Sequence, residues 1–231
     1  MEGSRHASFE PGTLAFLADL AANNNREWFK ENKTQYESQV LDVALRFIHS
    51  MQDPLQEIAP HFVAQATCMG GSLMRVYRDT RFSKNKLPYK TNIGIQFRHE
   101  QAKNVHAPGY YVHIDTEKVF VGVGMWRPES ESLRGIRERI AARPADWRRA
   151  VGDSVFGRHF ELGGETLTRP PRGFDKGHEL IEVIKRKSFM AVKNMDSDDC
   201  LSPQFQKKVE TSFKVAEPFM RFLCKSVAVP F

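Results

Sequence analysis

The chain has 231 residues, 41% hydrophobic, 27% charged and 11% aromatic, with 17 phenylalanines; that excludes a disordered polymer and is enough to bury a real core. Its 34 basic and 28 acidic residues leave a formal charge of +6, but six bases and one acid fall between Arg75 and Lys90, so that window holds +5 and everything else only +1. A broad basic surface is thereby excluded, and so is a membrane span, because the longest apolar-plus-glycine run is Val119 to Trp126.

The first third reads as helix. Leu14, Leu17, Ala18 and Ala21 recur at helical spacing after Pro11-Gly12, and Asn23-Asn24-Asn25 stops that helix. A second helix restarts there, with Asn24 as N-cap and Glu27 at the capping-box position. Its apolar stripe runs Trp28, Tyr36, Val40, Val43, Phe47 and Met51, and Pro54 and Pro60 end the helical stretch.

The middle third changes period. Leu73 to Tyr77, Asn92 to Phe97, Tyr110 to Asp115 and Val119 to Met125 alternate as strands do, and the short link from Asp115 to Lys118 makes the last two an antiparallel hairpin. Ser130 or Ser132 caps a helix with Leu133, Ile136 and Ile140 on one face, closed by Pro144, and a short helix follows from Asp146 to Val151. Residues 161–178, rich in Gly, Pro and Arg, are expected as turns and extended chain. Glu179 to Arg186 is expected as a short helix, Phe189 to Met195 as a strand, and the chain from about Pro203 as a long helix kinked at Pro218. Strands clustered between helical ends predict an α+β fold. We expect a single domain with an antiparallel β-sheet core packed by N-terminal and C-terminal helices: helical over 13–60, sheet-rich over 72–126, mixed over 129–195 and helical over 203–226.

The start of the sequence shows no apolar secretory segment. Three widely spaced cysteines, Cys68, Cys200 and Cys224, predict reduced, structural thiols in a cytoplasmic setting. The eight histidines have no ligand spacing, so no metal is assigned and the cofactor is left open.

The basic segment is the strongest candidate site. Arg75, Arg78, Arg81, Lys84, Lys86 and Lys90 are interleaved with Phe82 and Tyr89. Guanidinium groups bind planar oxyanions through paired hydrogen bonds and Lys adds mobile point charge, which suits phosphate or carboxylate groups. Asp79, among them, would orient an arginine or transfer a proton. The plain alternative is a solvated loop in which Asp79 pairs with a neighbouring arginine.

Three blocks of residues resemble a known family. They are Phe16-Leu17 to Leu20 with Asn24-Asn25-Arg26-Glu27-Trp28-Phe29, Asn32-Lys33 and Tyr36; Arg78 to Lys84 with Lys86, Pro88-Tyr89-Lys90 and Thr91-Asn92; and Gly122 to Trp126 with Pro128-Glu129, Leu133 and Arg137 to Ile140. On these the chain resembles the bacterial and fungal family called domain of unknown function 2461, over nearly its whole length. It departs at Val123, where the family pattern tends to glycine. The resemblance implies an α+β domain in a soluble protein and implies no reaction. It makes Arg26, Trp28 and Lys33 worth testing as lining of the same site.

A second candidate lies on the strands. Alternation puts Tyr111, His113 and Asp115 on one face of theirs, and Phe120, Gly122, Gly124 and Trp126 on one face of the next. Strand glycines most often admit a closely packed element, here a helix; the functional alternative is a ligand stacked on Trp126 above Gly122 and Gly124 with His113 nearby. Any proton transfer would fall to Asp79 or His113. The leading expectation is therefore a site for a phosphorylated or polycarboxylate small molecule, with catalysis open. The alternatives are single-stranded nucleic acid on the same loop, with Phe82 or Tyr89 stacking on bases, or an adaptor docking an acidic protein.

Overall fold

The computed structural model describes residues 8–81, 84–102, 108–152 and 154–231; Phe82 and Ser83, within the basic segment, lie outside them. The N-terminal helices are α1 (Pro11–Ala22), α2 (Arg26–Glu31), α3 (Lys33–Tyr36), α4 (Asp42–Ser50) and α5 (Gln52–Ile58), with a π-helical turn at Glu37–Leu41 joining α3 to α4. The strands are β1 (Phe62–Val63), β2 (Ile93–His99), β3 (Gly109–Ile114), β4 (Val119–Met125), β5 (Glu161–Gly163) and β6 (Phe189–Met195). Between β4 and β6 come α6 (Ser130–Ala142), α7 (Pro144–Val151), α8 (Ser154–His159) and α9 (Ile181–Ile184). After β6 a 3-10 turn at Ser197–Leu201 leads to α10 (Phe205–Val215) and α11 (Glu217–Ser226).

The strands form one antiparallel sheet in the order β1-β2-β3-β4-β6-β5, so the α+β expectation holds. Period-two alternation gives the sheet two faces. Ile95, Phe97, Tyr110, Val112, Val121, Val123, Phe189 and Ala191 are buried on the first. The helices pack there: Phe213 of α10 lies 4.4 Å from the Tyr110 ring, and Trp147 of α7 meets Phe189 and Phe219. Each such large apolar side chain contributes about 1.5–3 kcal/mol on burial.

Several local expectations are corrected. The stripe from Trp28 to Met51 is not one helix: it breaks at Asn32, between α2 and α3, and the π turn then inserts an extra residue and shifts the phase. Within that turn the Gln39 carbonyl accepts from Thr13 Oγ1 of α1 at 2.6 Å. The buried face of α1 is Thr13, Phe16, Leu17 and Leu20. The N-cap of α2 is Asn25, whose side chain accepts from Trp28 N at 2.9 Å, not Asn24. Pro54 sits in the first turn of α5 and Pro144 opens α7, because a first helical turn needs no donor where Pro lacks one. Neither Ser130 nor Ser132 caps α6; Glu129 holds that position. Leu73 to Tyr77 forms two isolated bridges, Leu73 to Ile95 and Tyr77 to Tyr89, not a regular strand. Residues 161–178 include the edge strand β5, and the C-terminal helix breaks at Ala216, with Pro218 in the first turn of α11.

Candidate small-molecule site on the open sheet face

The second face of the sheet carries Gly94 and Gln96 from β2, Tyr111 and His113 from β3, Phe120 and Gly122 from β4, and Met190 from β6, in mutual register. A cavity of about 360 Å³ opens on it, lined by Met74, Gln96, Tyr111, Phe120, Gly122, Gly124, Trp126 and Met190, with β3 backbone at Gly109. Trp126 stands at its rim, 53% exposed, with the Arg127 guanidinium 5.3 Å from its ring centroid.

Three of the strand glycines on this face, Gly94, Gly122 and Gly124, have different reasons. A Cβ on Gly122 would find its nearest neighbour, Tyr111 Cβ, at 3.6 Å, so Gly122 leaves the cavity floor open. Gly124 has φ +112°, and a Cβ there would fall within 2.2 Å of the Phe189 carbonyl and 3.0 Å of the Phe219 ring of α11. The expected helix contact therefore applies to Gly124, while at Gly122 a Cβ would meet only ordinary van der Waals contacts with Tyr111 and Phe120. A Cβ on Gly94 would lie 2.7 Å from Tyr111 Oη and 3.2 Å from Met74 Sδ; its absence lets the Tyr111 ring lie down across β2.

At one end of this face is a hydrogen-bonded line of side chains. His113 Nε2 lies 2.8 Å from Asp115 Oδ2 and His113 Nδ1 3.2 Å from Tyr111 Oη, while Asn92 Nδ2 is 3.5 Å from the same Nδ1. The imidazole stacks on Phe120 at 4.5 Å. Asp115 Oδ1 accepts from the backbone of Glu117 and Lys118 at 2.7 and 2.6 Å. Burial alone would raise the Asp115 carboxyl, but His113 and these two N–H groups outweigh it and hold it below its ordinary 3.8. Burial, helped by the Asp115 charge, pushes Tyr111 up to about 12.

The basic segment docks beside this face. Asn24 grips the Tyr89 backbone twice, accepting from its N–H and donating to its carbonyl, each at 3.1 Å. The Tyr89 ring is buried and stacked on Phe29 of α2 at 4.1 Å, which leaves no ring face for a base. Met74 N donates to Gly94 and Lys90 N to Val76, so Thr91, Asn92 and Ile93 stand opposite Arg75 alone. That bulge carries Asn92 to His113.

The six cations divide by role. Arg81 makes a bidentate pair with Asp79 at 3.1 and 2.7 Å, and its guanidinium and backbone N–H bring the exposed carboxyl down to about 2. Lys86 donates to the Thr80 carbonyl and Lys90 to the Arg75 carbonyl, tying the loop to itself. Burial and then the charges of Arg75 and Arg78 push the Lys90 ammonium below its usual value. Arg78 reaches the Tyr89 carbonyl at 3.4 Å, while its buried Nε has no partner among the described residues. Lys84 is exposed. Of the residues suggested by resemblance, Trp28 packs on Phe16 and Lys33 pairs with Glu37 at 3.5 Å, while Arg26 acts electrostatically on Tyr89; none of them lines the cavity.

Sequence reasoning missed Met74, Asn92, Gly94, Gln96 and Met190. Gly94 had a usable signal, a glycine inside an apolar strand; Met74 and Met190 had none. Among the described residues no cluster of three or more His, Cys, Asp or Glu is placed to hold a metal ion, and no helix is long and apolar enough to cross a membrane. Comparison with curated proteins finds no match. The family model for a conserved hypothetical protein, DUF2461, matches residues 12–222, which covers all three sequence blocks, the sheet-face cavity and the basic segment, and the chain belongs to that family.

Proposed function

We propose that this protein binds a small molecule on the open sheet face. The ligand's planar or apolar body lies over Gly122, between Phe120, Met190 and Trp126, and an acidic group, phosphate or carboxylate, points past Met74 toward Arg75, Arg78 and Lys90. The observation that carries this reading is the cavity, apolar along its floor and bordered at Met74 by the segment that holds the excess charge. Weight moves from Arg81 to Arg78, because Arg81 is already satisfied by Asp79 whereas the buried Arg78 Nε has no partner among the described residues. Of the two proton-transfer candidates, His113 is favoured over Asp79, because Asp79 is exposed and paired with Arg81 whereas His113 is linked through Tyr111 to the cavity wall.

The experiment is a thermal-shift panel of aryl phosphates, nucleotides and aromatic carboxylates. A ligand at ~100 times its dissociation constant adds ~2.7 kcal/mol. We expect Arg78→Ala to lose most of that gain, Arg81→Ala to keep it, and Gly122→Leu, which fills the cavity floor, to abolish it. A full shift retained by Gly122→Leu would overturn the cavity reading; one retained by Arg78→Ala would overturn the anion contact.

A further inference from the structure

Asp115, His113 and Tyr111 form a chain of three groups running from a fixed carboxylate to the wall of the cavity. Both Asp115 oxygens are engaged, Oδ1 by the backbone of Glu117 and Lys118 and Oδ2 by His113 Nε2. An ionised carboxylate only accepts, so the ring nitrogen facing it carries the proton and donates. Asn92 Nδ2, which can only donate, faces His113 Nδ1 at 3.5 Å, so that nitrogen presents its lone pair. Its other neighbour, Tyr111 Oη at 3.2 Å, also has a hydrogen to donate to it. The hydroxyl of Tyr111 lies over Gly94 and beside Met74 Sδ, and both Tyr111 and Met74 line the cavity.

A purely structural tie between neighbouring strands would need none of this polarity. The backbone ladder already joins β2 to β3, and the opposite face of the same strands packs mainly through apolar side chains, with one buried histidine, His99, at its end against the Pro230 carbonyl. A base on an open sheet face, oriented by a carboxylate at one end and reaching a cavity through a phenol at the other, is an arrangement that moves protons.

We propose that Tyr111, His113 and Asp115 form a proton-accepting relay for the bound ligand, which is a planar compound carrying an ionisable hydroxyl, a phenol or an enol. This rests on the cavity reading above. In the step, the ligand O–H bond breaks and its electron pair stays on the ligand oxygen. The proton passes to Tyr111 Oη as Tyr111's own proton moves to His113 Nδ1. The resulting imidazolium stays hydrogen-bonded to Asp115, the only carboxylate in contact with it among the described residues; its other neighbours there, Asn92, Tyr111 and Phe120, are uncharged. Return of the proton to water or to another atom of the ligand restores the starting state. The elevated Tyr111 value agrees with transit through the hydroxyl without a standing phenolate.

The probe is 4-nitrophenol, whose phenolate is read by its visible absorbance, buffered below the probe's own pKa. The wild-type protein is expected to bind it and shift its apparent ionisation by about one unit or more toward phenolate. His113→Gln, which still offers Asp115 a donor, is expected to bind the probe without that shift. Tyr111→Phe, which keeps the ring over Gly94, is expected to do the same. Nitrogen-15 spectra of the unliganded wild type should show a neutral His113 protonated on Nε2. Binding without ionisation, ionisation that survives His113→Gln, or a proton on Nδ1 would each overturn the relay and leave the cavity reading standing. Absence of probe binding, with the panel of acids also silent, would remove both.

Discussion

Asn23, Asn24 and Asn25 are adjacent and alike, yet each does a different job. Asn23 folds back on the Asp19 carbonyl at the end of α1, Asn25 caps α2, and Asn24 binds the backbone of Tyr89, 65 residues away. Only the local roles are accessible to spacing rules, so spacing alone assigns the cap to Asn24. Removing a cap costs about 1 kcal/mol, whereas Asn24→Ala leaves two backbone groups of a half-buried junction unpaired, at about 1–3 kcal/mol in all. Denaturant titration should therefore rank Asn24→Ala as at least as damaging as Asn25→Ala. Amide exchange should speed up at Tyr89 and Lys90 in the first variant and not in the second.

Asp115 makes an equally specific prediction about acid. Its folded value is depressed, so its contribution is fully present above the ordinary carboxylate value and is lost as pH falls through the folded one. Asp115→Asn should be less stable than wild type near neutrality, and the gap should close as pH falls below the ordinary carboxylate value and through the lower folded one. Denaturation midpoints across that range measure it. A gap that does not narrow would mean that His113 and the turn amides do not hold the charge.

At the scale of elements, β3 and β4 were legible almost residue by residue, because a strict period of two left one assignment of faces and a four-residue link left one pairing. That alternation alone brought Tyr111, His113 and Asp115 together, and Gly122 beside Trp126. What it could not convey is why a glycine is there. Gly124 is required by its backbone, at φ +112°, and by the Phe189 carbonyl, whereas Gly122 has no such constraint. Gly124→Ala should lower stability by about 2–3 kcal/mol. Gly122→Ala should leave it unchanged or raise it by up to about 1 kcal/mol, because Ala suits a strand interior better. Equal losses in urea unfolding would contradict this division. The helical third was less legible, since a single π turn rotates the apolar stripe without changing any residue in it.

Across the whole molecule, the +5 of the basic segment is set against a nearly neutral remainder, and the fold places that segment at the border of a single open sheet face. Helices cover the other face, so the open one is where the sheet's polar side chains and its vacant floor meet. The charge excess and the alternating strands were both visible in the sequence as separate features. Their adjacency was not, because it depends on Asn24 holding Tyr89 and on the bulge opposite Arg75, contacts that join distant parts of the chain. The nucleic-acid alternative loses one of its stacking platforms to the same geometry, since Tyr89 is buried against Phe29.

The most direct test of a ligand held between sheet face and basic segment is a two-dimensional amide NMR titration with phenyl phosphate. Saturable shifts are expected at Gly94, Gly109, Gly122, Gly124 and the Trp126 indole together with Lys90, with the Lys90 response lost in Arg78→Ala. Shifts confined to the basic segment, with the five sheet-face signals unmoved, would contradict the account.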